Sequence, residues 1–60
     1  MITKTISNIN NLPTVGYIIK NLQFKRMELI EQTNNSVTAR GTDSQWSSIS
    51  LPSDAVVTAT

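Results

Sequence analysis

The chain is 60 residues long, with five basic and four acidic residues for a net charge of +1, and it contains neither cysteine nor histidine. That composition excludes disulfides, thiolate nucleophiles, Cys- or His-based metal sites and the usual general base at neutral pH. So small a charge makes no compositional case for nucleic acid or an anionic membrane.

Length allows one small domain over residues 1–60, which buries roughly 60% of the surface its unfolded chain exposes. Domains of this size gain extra stability from disulfides, metals or association, and here only association is left. No apolar run is long enough to span a bilayer, and no basic-then-apolar export signal follows Met1. Serine, threonine and asparagine number 21 against nine charged residues. A surface polar through hydroxyls and amides suits an extracellular or assembled protein.

Residues 2–7, Ile-Thr-Lys-Thr-Ile-Ser, read as a short strand by their β-branched content. A helix is the competing reading, because Ile2, Ile6 and Ile9 also fit one helical face. Asn8 to Pro13 supplies three asparagines and a proline, marking a loop, and Leu12 is biased away from helix by the proline after it.

Residues 14–32 carry the main ambiguity. As a strand, Val15, Tyr17 and Ile19 share one face and Ile18, Leu22 and Phe24 the other, with a bulge needed near Lys25-Arg26. As a helix, Val15, Ile18, Ile19, Leu22, Leu29 and Ile30 fall within one arc. The β-branched start and the hairpin that follows favour the bent strand.

The hairpin spans residues 28–41 and pivots at Asn34-Asn35. A two-residue turn there pairs Thr33 with Ser36, Gln32 with Val37 and Ile30 with Ala39. Gly41-Thr42-Asp43-Ser44 reads as a second turn, and residues 45–51 as a strand carrying Trp46, Ile49 and Leu51. Residues 52–55 read as a short turn or single 3₁₀ turn, and residues 56–60 as a terminal strand.

This succession predicts an all-β fold, a small five-stranded SH3-like barrel or curled antiparallel meander. The alternative is α+β, with a helix at about residues 14–33 packed on a three-stranded sheet. On the all-β reading both faces of the sheet carry large apolar residues, and one curled sheet of this size encloses only one of them. Contiguous exposed apolar patches mark contact sites.

The expectation is therefore a non-enzymatic interaction or assembly module, its partner being itself or a larger protein assembly. Trp46, Leu29, Tyr17, Phe24 and Arg40 are its candidate protein-binding residues. Trp46 has a plainer reading as a core residue. The alternative function is single-stranded nucleic-acid binding by Lys20, Lys25, Arg26 and Arg40, interleaved with Tyr17, Phe24 and Trp46. For catalysis the residues offer neither an acid pair with evident spacing nor a Gly-rich phosphate loop, and no histidine activates the serines. Glu28 and Glu31 share a face on a helix and point oppositely on a regular strand. No cofactor is implied.

Overall fold

A computed structural model describes residues 1–9 and 12–59, and of Leu12 the backbone alone. The elements run β1 (Ile2–Ser7), α1 (Leu12–Phe24), β2 (Glu28–Gln32), β3 (Val37–Gly41), α2 (Asp43–Ser47) and β4 (Val56–Ala59). The four strands form one antiparallel sheet in the order β2-β3-β1-β4. The fold is α+β with an open sheet, which corrects the expected all-β five-stranded barrel and agrees in outline with the α+β alternative, though with four strands and not three.

The correction begins at residues 14–32. They are not one bent strand: α1 occupies Leu12–Phe24 and β2 starts at Glu28. Val15, Ile18 and Leu22 recur at helical spacing and are all buried, so the 3.6-residue period outweighs the local β-branched propensity. Burying side chains of this size stabilises by roughly 1.5–3 kcal/mol each. Pro13 lies within the first turn, where its own missing N–H costs nothing, and its steric bias on the residue before it, a preference and not a bar, does not stop α1 from starting at Leu12.

α1 ends where Arg26 takes φ 62°. Arg26 N donates to Gln23 O at 3.0 Å and Met27 N to Leu22 O at 3.0 Å. That pair of bonds is a Schellman closure, with Leu22 and Met27 both buried beside it.

The Asn34-Asn35 hairpin forms. Thr33 N donates to Ser36 O at 2.9 Å, and Gln32 lies opposite Val37. The register then shifts between Leu29 and Glu31, so Leu29, and not Ile30, faces Ala39. The expected bulge is thus at Ile30 instead of Lys25-Arg26. It also changes the parity of the strand: Glu28 opposes Arg40 and Glu31 opposes Thr38, which puts both acids on the same sheet face.

The second expected turn and the strand after it are replaced by α2. Thr42 caps it: its Oγ1 accepts from Gln45 N at 3.1 Å, while Gln45 Oε1 accepts from Thr42 N at 2.7 Å. Such a reciprocal box satisfies two donors that a helix start otherwise leaves open. Residues 52–55 form the expected turn, with Ala55 N donating to Pro52 O at 3.1 Å. β1 matches its expected range, and β4 covers residues 56–59 of the expected terminal strand. Residue 60, and residues 10 and 11 of the loop expected before α1, lie outside the described residues.

Register and burial separate the two sheet faces. Ile6, Val37 and Ala39 point inward and join Val15, Ile18, Leu22, Met27 and Trp46 in one core. α1 lies over β2 and β3. The opposite face carries Thr3, Thr5, Thr38, Arg40, Glu28 and Thr58, with Thr5 and Thr38 hydroxyls 3.0 Å apart. The sheet therefore does not present the second apolar face expected of it; α1 roofs one side and hydroxyls cover most of the other.

Candidate binding surface on α1

With Val15, Ile18 and Leu22 committed to the core, the other side of α1 presents Tyr17, Lys20, Asn21 and Phe24. These positions follow i, i+3, i+4, i+7 and form one stripe. Tyr17 is 57% exposed and Phe24 80%, and a helix rise of 1.5 Å per residue sets them about 10 Å apart along the axis. An open groove is lined by Tyr17, Lys20, Asn21 and Phe24. A second, on the other flank, is lined by Pro13, Gly16, Tyr17, Ile19, Lys20 and Gln23. Tyr17 and Lys20 border both and form the ridge between them.

The ridge is aromatic and cationic. Lys25 Nζ lies 5.7 Å from the Phe24 ring centroid, within cation–π range. Lys20 stands between the two rings, and exposed Arg26 follows in the closing turn. From Leu12 to Met27 the sequence has no acidic residue, so α1 itself carries no carboxylate to offset these cations. Asn21 Nδ2 donates to Tyr17 O at 2.9 Å, which turns its amide back onto the helix.

The remaining candidate residues lie elsewhere. Trp46 is 8% exposed and belongs to the core. Its Nε1 donates to Ile2 O at 2.9 Å, and Lys4 Nζ, not Arg40, lies over its ring at 5.5 Å. Leu29 is half-buried against the same core. Arg40 is paired with Glu28 on the hydroxyl-rich sheet face, its Nη2 also 3.1 Å from Glu28 Oε2. Of the protein-binding set, the structure brings together Tyr17 and Phe24. Of the nucleic-acid set, Lys20 lines the groove beside Phe24 and Lys25 lies at the Phe24 ring, Arg26 follows in the closing turn, and Arg40 is on another face.

The chain matches no family model, no curated protein and no solved structure.

Among the described residues no three acids gather where a metal could bind, and no buried side-chain polar atom lacks a partner. No helix among them is long and apolar enough to cross a membrane. One feature went unread at the sequence level and another was misjudged. The first is the Thr42-x-x-Gln45 capping pattern, the signal that announces α2. The second is Asn34-Asn35-Ser36, which fits the Asn-x-Ser acceptor pattern for N-glycosylation and sits exposed at the hairpin tip. In an exported chain that tip would have room for a glycan.

Proposed function

We propose that this protein is a non-enzymatic interaction and assembly module that works by burying the α1 ridge against a protein partner. The observation that carries this reading is the pair of exposed rings, Tyr17 and Phe24, about two helical turns apart with Lys20 between them. Large rigid rings bury much area for little lost side-chain freedom, which is why they serve as anchors. Packing accounts for Val15, Ile18 and Leu22, and it gives no reason for aromatic residues at 17 and 24.

Charge narrows the partner. α1 and its closing turn carry Lys20, Lys25 and Arg26 and no acid, so the complementary surface is apolar in the middle and acidic at its rim. An amphipathic acidic helix laid along the grooves has that chemistry. Ridge-on-ridge contact between two copies lacks it, because the cations of both would meet without a carboxylate on α1 to separate them.

The second reading is single-stranded nucleic acid, and it is favoured by the same interleaving of rings and cations. Titrating isotope-labelled protein with a Leu/Glu amphipathic peptide, and separately with oligothymidylate at low and high salt, distinguishes the two. The expected result is amide shifts at Tyr17, Lys20, Asn21 and Phe24 with the peptide, abolished in the Tyr17→Ala/Phe24→Ala variant. Shifts with oligothymidylate alone, collapsing steeply as salt rises, would move the assignment to nucleic acid. An undisturbed ridge in both titrations rejects it as a binding surface.

A further inference from the structure

The two edges of the sheet are built differently. β2 carries Glu28 and Glu31 and is bent by the irregularity at Ile30. Charges and a bulge of this kind blunt an edge against pairing with another chain. β4, on the other edge, is Val56-Val57-Thr58-Ala59, with no charge, no proline and an unbroken register against β1. All four of its residues are exposed, and α1 lies on the far half of the sheet, over β2 and β3. One side of β4 pairs with β1; among the described residues no strand pairs with its other side, which is the free edge of a β-branched strand.

We propose that β4 pairs antiparallel with β4 of a second copy of this chain, joining two four-stranded sheets into one across a two-fold axis. A two-fold perpendicular to the sheet keeps the helix side of both copies on the same side. Opposed residues must then have the same parity, so the register centres on Val57 or Thr58. Centred on Val57, it sets Val57 against Val57 of the second copy, Val56 against Thr58 and Ala55 against Ala59. Cross-strand pairs of β-branched residues of this kind stabilise a sheet. Val57 and Ala59 share the inner face with Ile6 and Lys4, so the joint extends the apolar layer beyond the reach of α1.

Charge decides the occupant. β4 meets its own copy with no like charges opposed, whereas β2 meeting β2 would bring Glu28 and Glu31 of both copies together. The proposal goes beyond the α1 reading and does not depend on it, because the two surfaces lie on different elements. Four residues of strand bury far less than the standard interface area, so the dimer is weak and visible only at high concentration.

The test is sedimentation velocity over a hundredfold concentration range, with amide exchange at the two extremes. The expected result is a weight-average mass that climbs from monomer towards dimer, with protection at residues 56–59 growing in parallel. Val57→Lys, which opposes two lysines across the axis, weakens the dimer more than tenfold while its dilute-solution melting matches the parent chain. Tyr17→Ala/Phe24→Ala leaves the dimer intact. A strict monomer throughout, or concentration-independent exchange at β4, overturns the proposal. So does a dimer that survives Val57→Lys or is lost only in the ridge variant. Should Val57→Lys fail to fold, the exchange measurement on the unaltered chain decides alone.

Discussion

Trp46 shows how one side chain changes role with its neighbours. On a strand beside Arg40 it would be an outward anchor; on α2 its ring enters the core, and its single donor is used on Ile2 O. Trp46→Ala is therefore expected to cost about 3–5 kcal/mol, enough to unfold so small a domain. Trp46→Phe keeps most of the apolar volume and gives up the hydrogen bond, at about 1 kcal/mol. Chemical denaturation of both variants checks this, and a folded, cooperative Trp46→Ala protein would show that the core does not rest on the ring. Arg26 presents the opposite case, a residue the fold does not favour. A side chain at φ 62° stands where glycine is at ease, so Arg26→Gly is expected to raise stability by about 1 kcal/mol. The same change removes one cation beside the ridge, so peptide binding should weaken as the denaturation midpoint rises. A lower midpoint would mean that the arginine side chain packs in a way its exposure does not suggest.

At the scale of elements, what was legible follows from which signals are local. The β1 range and the Asn34-Asn35 hairpin rest on alternation and turn chemistry within a few residues, and both form. α1 was legible only in its period: Val15, Ile18 and Leu22 mark a helical face, while Thr14-Val15 and Ile18-Ile19 taken singly favour strand. Its end was not legible, because Schellman closures are expected at Gly or Asn and this one uses Arg26. The bulge at Ile30 could not be placed from sequence either, since it depends on which of Leu29 and Ile30 the helix above leaves room to bury. α2 was legible through Thr42 and Gln45 had the capping pattern been weighed against the turn-like Gly41-Thr42-Asp43-Ser44. Gly41 has a separate reason to be glycine: a Cβ there would stand 2.8 Å from Met27 Cε and from Gln45 Oε1. Tyr17 and Phe24 were found as candidates on the wrong secondary structure. As a strand they fell on opposite faces, and only the helix brings them to one side.

For the whole molecule, the sheet order places β1 between β3 and β4, and only the β3 side lies under α1. Opening the sheet from its middle exposes Ile6, Val37 and Ala39, which are fully buried; fraying β4 exposes four residues already in contact with water. Local stability should therefore fall outward from the β1–β3 pair. Native-state amide exchange of the dilute chain is expected to be slowest at residues 4–6 and 38–40, intermediate in α1 at residues 18–22, and fastest in β4. The bulged β2 edge should exchange faster than β3 and slower than β4, because α1 shelters Leu29. The ranking separates two ways of holding so small a domain together. If the helix–sheet core governs stability, β4 opens alone, at a small fraction of the global unfolding free energy, and the remainder stays closed. If β4 exchanges as slowly as β1 in dilute solution, the sheet unfolds as one unit, and an edge that stable has no need of a second strand.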